Sequence, residues 1–274
     1  MASYVAFEDG VACELHEGRA WAECVTACSQ VAGNPLGAEL IELAGISVPV
    51  LSAVDFWLFN RLIGFGVADA ATEDDVDAVQ RVYSERSQTQ WAVGVPPFAR
   101  PLLADWLVAR GLRHTGDFAK VIRTTEEPVE VTTTLRIEEI GADRAVEFAG
   151  INVAAWGVPD TFAAWFGATV GRPNWLHYIA FDNDIAVSTG ALYMSDGIGW
   201  LGFGATLPTH RNRGGQGALM ARRIRDARDN GCRLVHTETA AETPDQPNPS
   251  YRNMLRTGFT LAYLRPNYVS QPSP

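Results

Sequence analysis

Between Arg211 and Gly217 the chain reads Arg-Asn-Arg-Gly-Gly-Gln-Gly, and a helical run starts at once with Ala218-Leu219-Met220. Glycines at 214, 215 and 217 leave main-chain N–H groups open to a ligand with no Cβ in the way. A helix start adds unpaired donors and the positive end of the helix dipole. A phosphate or pyrophosphate is the natural guest. No Gly-Lys-Ser/Thr follows, so this is not a P-loop. The strand before it ends a meander, so it is not a dinucleotide fingerprint, which follows the first strand of a parallel βαβ unit.

Acid–base chemistry has its own candidates. His236 and Glu238 stand two apart on the strand predicted after that helix and so share a face. A base there with a pKa near neutrality could take a proton from a ligand, directly or through a water; a hydrogen-bonded sheet residue fits the same positions. His210 is a further candidate at a loop edge, where a solvated histidine is the alternative. Ser250 and Tyr251 on the next helix, and Tyr263 and Tyr268 on the last strand, could donate a proton. A buried core tyrosine is the plainer role for each. Cys24 and Cys28 stand at i, i+4, with only His16 nearby as a further ligand. Structural zinc wants four such ligands, so these cysteines read as small buried hydrophobes and no metal is expected. With Cys13 and Cys232 they complete the four cysteines, too few for a disulfide framework in a chain of this size.

The elements that must position these residues follow from periodicity and punctuation. The pattern predicts a helix over 14–32, two strands within 39–66 (the second including Phe56-Trp57-Leu58-Phe59), and a helix from Thr72 to about Ser87. A strand over 90–95, a helix over 100–110 and a strand over 114–123 complete the first half. The second half opens with a strand over 133–139, followed by helical runs across 142–156 and 161–169. A three-strand meander follows over 175–181, 185–194 and 198–207. After the glycine turn come a helix to Asn230, a strand over 233–239, a helix from Asn248 to Gly258 and a strand over 259–269. The fold class is therefore mixed α/β.

The 274 residues fit two domains, and 47% hydrophobic against 20% charged side chains allows a real core. A polar, proline-bearing run divides them: 1–125, a linker over 126–132, and 133–274. Charge divides the same way. Residues 1–130 carry 9 basic and 19 acidic side chains and residues 131–274 carry 13 of each, so the net charge of −10 lies in the first part. That balance argues against unspecific nucleic-acid binding, which needs a basic field. Six of the second part's arginines fall between Arg211 and Arg228. This local cluster suits a small anion, although Arg222, Arg223, Arg225 and Arg228 alternate with Asp226 and Asp229 as on a solvated helix face. No apolar run is long enough to span a membrane and no leader is visible, so the cytosol is the expected compartment. The oligomeric state stays open.

The stretch Thr206-Leu207-Pro208-Thr209-His210-Arg211-Asn212-Arg213-Gly214-Gly215-Gln216-Gly217-Ala218-Leu219 resembles the coenzyme A signature of the GNAT superfamily of N-acetyltransferases, and Asn248 with Leu255-Arg256-Thr257-Gly258-Phe259 is similar to its distal helix and strand. The resemblance covers about residues 133–269. It implies a mixed, mostly antiparallel sheet flanked by helices. It also implies acetyl-CoA as cosubstrate and direct acetyl transfer to a primary amine in a ternary complex. By resemblance, the backbone of Gly204, Ala205 and Thr206 pairs with the pantetheine arm in a splay between two strands. Residues Arg211, Asn212, Arg213, Gly214, Gly215, Gln216 and Gly217 cradle the pyrophosphate, and Asn248 faces the pantetheine or adenine. Two departures stand out. Gln216 occupies a Gly/Ala position, and must either turn away from the pyrophosphate or donate to it. Met254 stands where many members carry a tyrosine that protonates the thiolate, leaving Tyr251 and Tyr268 as donors and Glu238 as base. A coenzyme A-binding regulatory module without catalysis is the alternative, and a phosphate-ligand protein of another family a distant third.

Residues 72–123 repeat the helix–strand–helix–strand order of 217–266, which suggests two related domains in tandem. Before its first helix the earlier copy offers Asp69, Glu73, Asp74 and Asp75 and no arginine. These acids would repel coenzyme phosphates, so the first domain is expected to serve as scaffold or as one wall of the acceptor cleft.

Overall fold

The computed structural model describes residues 7–43, 45–68 and 71–270; Asp69 lies outside them. The chain divides into two compact units. Of the described residues, unit 1 holds 121–238 and 243–261, and unit 2 holds those from 7 to 120, 239–242 and 262–270.

In unit 2, helix α1 (Phe7–Ser29) is followed by the hairpin β1 (Ala38–Leu43) and β2 (Ile46–Leu51) and the short strand β3 (Arg61–Leu62). Then come α2 (Glu73–Glu85), β4 (Ala92–Gly94), α3 (Leu103–Ala109) and β5 (Arg113–Thr124), which belongs to this unit up to Lys120. Phe56 to Phe59, expected as a strand, lie in turns. Side chains take the ladder's place there. Asn60 Oδ1 accepts from Leu51 N, its Nδ2 donates to Val54 O, and Asp55 accepts from Thr89 N and Gln90 N.

In unit 1, β6 (Arg136–Ile140), α4 (Ala145–Trp156) and α5 (Ala163–Gly167) precede the meander β7 (Trp175–Asp182), β8 (Ile185–Ser195) and β9 (Ile198–Thr206). Left-handed backbone at Asn183, Asp196 and Gly197 makes the two tight turns. Helix α6 (Gly215–Asp229), strand β10 (Leu234–Ala240), helix α7 (Pro249–Arg256) and strand β11 (Thr260–Val269) close the chain.

Within unit 1 the strands run β5-β10-β9-β8-β7-β6; within unit 2 they run β3-β4-β11-β5. In unit 1 the parallel pair β9 and β10 follows the antiparallel pairs β6–β7, β7–β8 and β8–β9; in unit 2 the parallel pair β3 and β4 adjoins the antiparallel pair β4–β11. The sheet is mixed and helix-flanked, as the sequence implies. The unit boundaries differ from the sequence division at both ends. Val131 to Leu135 belong to unit 1, where they meet the positions a Cβ would take at Gly214, Gly215 and Gly217. The last strand from Ala262 belongs to unit 2, where Tyr268 pairs with Val93 and Asn267 with Gly94.

The cores differ in kind. Unit 1 buries Leu135, Tyr178, Val187, Leu192, Leu201, Leu219, Met220, Ile224 and Val235 around α6. Unit 2 buries an apolar cluster from Val48 to Leu112, and beside it a set of ions with no exposure at all. Lys120 pairs with Glu17, Arg265 Nη1 reaches Glu14 at 2.8 Å and Glu17 at 3.0 Å, and Tyr263 donates to Glu14 at 2.6 Å. Burial pushes the Glu17 carboxyl up, but Lys120 and Arg265 outweigh it and hold it below the ordinary range. All four cysteines are buried thiols, with Cys24 and Cys28 shifted upward by burial. Among the described residues, no group of three or more His, Cys, Asp or Glu is placed to hold a metal, and no helix is long and apolar enough to cross a membrane.

Candidate active site

Strands β9 and β10 pair only from Ile198/Leu234 to Trp200/His236. The Thr237 hydroxyl still reaches Leu201 O at 2.7 Å. Beyond it β9 runs on to Thr206 with no further register partner on β10 among the described residues, so on that side its ladder ends before Gly204, Ala205 and Thr206. On the other side β9 is tied to β8, but its register breaks. Thr189 pairs with Ala205 and Ala191 with Gly202, leaving an extra residue on β9. This bulge puts Phe203 at φ +52°, an uncommon conformation for a bulky side chain. Gly204, next in line, is exposed.

The open edge leads through Pro208–His210 to the start of α6. Asn212 (φ +62°) and Gly214 (φ +78°) are left-handed, and no side chain caps the helix. Its first N–H groups therefore lack intrahelical partners. The first helical hydrogen bond returns from Ala218 N to Gly214 O. The glycines serve packing as much as access. A Cβ at Gly214 would stand 3.0 Å from Thr132 O, one at Gly217 3.2 Å from Val131, and one at Gly215 3.1 Å from Leu135.

The two arginines of the turn differ. Arg211 is exposed and makes no ion pair among the described residues. Arg213 grips Asp182, with Nη2 at 3.1 Å from Oδ1, and His210 Nε2 lies 3.5 Å from the same carboxylate. Arg213 beside it holds the Asp182 carboxyl below the usual range. Gln216 turns inward. Its Nε2 lies within 3.2 Å of Ser188 Oγ, Thr189 O, Ala205 O and Thr206 Oγ1, and a Cβ on Gly204 would come 2.9 Å from its Oε1. Gln216 thus points away from the turn and fastens the first turn of α6 to β8 and β9.

Ser188 faces α6 through Gln216, whereas Thr189 faces α4 by accepting from Asn152 Nδ2 at 3.0 Å. The two helices therefore cover opposite faces of β8 and β9. Val235 packs in the α6 core, so alternation turns His236 and Glu238 to the other face. His236 is fully buried and Glu238 half-buried. Asn248 caps α7, accepting from Ser250 N at 2.9 Å and Tyr251 N at 3.2 Å. Tyr251 and Met254 rest half-buried against the unit 1 core. Tyr268 packs against the unit 2 core with its ring centroid 5.9 Å from that of His114, so unit 1 does not itself supply it.

Two buried polar groups were not singled out by the sequence pattern. Arg223 is buried at 3% exposure; its Nη1 donates to Ala191 O and Gly202 O at 3.1 Å each, and its Nε to Leu219 O at 3.0 Å. Its guanidinium fills the space above Gly190, where a Cβ would meet Cζ at 2.8 Å. Leu219, Arg223 and Ala227 share one stripe at four-residue spacing, which was the available signal. The second is His177. Thr169 Oγ1 lies 3.0 Å from its Nε2, and it sits between the rings of Phe148 and Trp175. Burial lowers its pKa to about 3.

No family model and no curated protein matches this sequence. Solved structures do match its fold. A GCN5-related N-acetyltransferase from Kribbella flavida aligns over 91% of this chain and 96% of its own, with a TM-score of 0.64 and 15% identity. A tandem GNAT protein from the clavulanic acid biosynthesis pathway aligns over 92% and 88%, with a TM-score of 0.62 and 14% identity. The chain has the GNAT fold. A GCN5-related N-acetyltransferase from Sphaerobacter thermophilus shares it over 73% of this chain and 68% of that one, with a TM-score of 0.57 and 19% identity. At these identities the likeness concerns the GNAT backbone. The chemistry has to be argued from the residues of the open edge and the uncapped helix.

Proposed function

We propose that unit 1 binds acetyl-CoA and transfers its acetyl group to a primary amine directly, in a ternary complex. One observation carries this reading: an unpaired strand edge at Gly204–Thr206 leads straight to the uncapped, arginine-flanked N-terminus of α6. The edge offers main-chain groups to the amides of a pantetheine arm, and the helix start offers N–H groups and a positive dipole end to a pyrophosphate. Arg211 adds a free cation to that end. Residues 211–217 form the pyrophosphate turn, with Gln216 acting from beneath it and Asn248 shaping α7 by its cap. Main-chain donors at the bulge polarise the thioester carbonyl. Glu238, on the face away from α6, takes the ammonium proton through a water before attack; Tyr251 gives its proton to the thiolate and regains one from the nitrogen once the C–N bond has formed.

Calorimetric titration with acetyl-CoA, followed by thiol release across a panel of amines, tests the reading. One site per chain and amine-dependent thiol release are expected. Absence of coenzyme binding overturns it, and preference for a nucleotide over coenzyme A in a thermal-shift comparison points to another phosphate ligand. Binding without turnover favours the second reading, a coenzyme-liganded regulatory module, which Met254 in the tyrosine's place motivates. Comparison of Glu238→Gln, Tyr251→Phe and Tyr268→Phe turnover assigns the proton carriers.

A further inference from the structure

A cation buried without a counter-charge is costly unless something uses it. Arg223 is such a group. Its three hydrogen bonds among the described residues all end on main-chain carbonyls, at Leu219, Ala191 and Gly202. No carboxylate pairs with it among the described residues. Among the described residues, Tyr178 from β7 is the ionisable side chain that bears on its charge; that phenol donates to Asp226 at 2.7 Å, and Asp226 is in turn held by Arg222 at 2.7 Å. From β8 and β9 only carbonyls meet it, and His236 and Glu238 of β10 face away. The charge sits where the β8–β9 register breaks, and the bulge that follows Gly202 carries the open edge at Gly204.

We propose that Arg223 is a positioning residue for acetyl transfer, pinning the β9 bulge through Gly202 O and placing a buried positive charge beneath the edge where the thioester lies. This rests on the proposed function above. In the transfer Glu238 first takes the ammonium proton through water, the freed lone pair forms the C–N bond, the carbon–sulfur bond breaks with its electron pair on sulfur, and the second nitrogen proton replaces the one Tyr251 gives to the thiolate. Negative charge passes first to the carbonyl oxygen and then to sulfur. A fixed cation nearby, in surroundings of low dielectric, lowers the cost of both without touching either atom. It also eases departure of the thiolate in a chain whose Met254 cannot donate a proton.

The test uses the full-length protein and coenzyme A itself. Thiolate ultraviolet absorbance, followed against pH, gives the thiol pKa of the bound coenzyme. In the wild type it is expected about one unit below that of free coenzyme A. Arg223→Gln keeps donors but removes the charge, and returns the pKa to the free value. Arg223→Lys retains most of the lowering. In turnover, Arg223→Gln is expected to lose about tenfold in kcat with KM for acetyl-CoA changed by less than about twofold. An unshifted thiol pKa in the wild type overturns the proposal whether or not any variant folds, and so does an Arg223→Gln protein that binds coenzyme A with the lowered pKa intact. Failure of the wild type to bind coenzyme A at all overturns the proposed function, and the inference with it.

Discussion

Helices α2 and α6 hold the same place in their units, each between two strands and followed by a helix and a further strand, yet their first turns are built for opposite charges. Helix α2 closes its own start. Thr72 accepts from Asp75 N, the Asp75 carboxylate accepts from Thr72 N at 2.8 Å, and Glu73, Asp74 and Asp75 fill the first turn. Helix α6 begins on a left-handed glycine with no cap and no acid in its first turn. A helix start attracts an anion only while its donors are unclaimed, and in α2 the Thr72 hydroxyl has taken Asp75 N while acids fill the turn. The cores diverge in parallel. Unit 2 buries Arg61, Lys120 and Arg265 with the carboxylates of Glu14 and Glu17, whereas unit 1 buries a neutral His177 among aromatic rings and two arginines, Arg123 and Arg223, that donate to main-chain carbonyls.

The comparison of cores breaks most directly at Lys120. Lys120→Met leaves Glu17 buried with less compensation, so a loss of about 3 kcal/mol is expected in urea unfolding. A loss below about 1 kcal/mol would show that the ion cluster of unit 2 is not closely balanced.

The contrast between the helix starts is sharpest at Gly214. Gly214→Val forces a β-branched residue to φ +78° with its Cβ 3.0 Å from Thr132 O. Coenzyme A affinity should fall at least a hundredfold by calorimetry, equivalent to about 2.7 kcal/mol. An unchanged dissociation constant would remove the turn from the binding site.

His177 carries the pH arm of the comparison. Its pKa is about 3 when folded against 6.5 otherwise, because burial disfavours the imidazolium. The unfolded chain therefore binds a proton that the folded one refuses. The stability due to this group is complete above pH 6.5 and is lost as pH falls from there toward 3, at about 1.4 kcal/mol per unit. Between pH 7 and pH 5 the wild type should lose about 2 kcal/mol from this group. His177→Gln should flatten that part of the urea-unfolding profile; an identical slope in the variant would mean that His177 titrates normally.

Thr72→Ala opens the capped start of α2. A loss of about 1 kcal/mol is expected, with coenzyme stoichiometry still one per chain because the acids of the first turn remain. Appearance of a second site would show that the cap, and not the charge, keeps unit 2 from binding. The full chain is the right object for this test. A fragment ending near residue 125 lacks the β11 residues that lie between β4 and β5 in unit 2.

Much of this was legible in local patterns. The meander, the uncapped glycine start and the repeated helix–strand order follow from period, turn residues and the placement of charge. Phe56 to Phe59 misled because hydrophobicity alone does not say whether Asp55 and Asn60 will take over the backbone's hydrogen bonds. The assignment of β11 to unit 2 rests on pairing with Ala92–Gly94, and no local pattern carries long-range pairing. Arg223 was hidden among arginines that alternate with acids. Its neighbours Arg222 and Arg228 pair with Asp226 and Asp229, and only the stripe it shares with Leu219 and Ala227 sets it apart. The glycines were read for ligand access, and the packing of Val131–Leu135 against them shows a second constraint on the same residues.

Asp182 supplies the smallest contrast. In α2 the acids lie in the helix itself, whereas unit 1 keeps its nearest acid on β7, where Arg213 and His210 hold it. That pair is solvent-exposed, so its worth to stability is slight, but it bears on the ligand. Asp182 both detains Arg213 and places a negative charge near the turn. Asp182→Asn keeps a hydrogen-bonding partner, removes the charge and frees the guanidinium to answer a phosphate. Coenzyme A should bind about threefold more tightly at low salt, and the gain should shrink as ionic strength rises, because exposed charges are screened. Weaker binding instead would mean that Asp182 holds Arg213 in its working position, and the acid would then belong to the site as an orienting group.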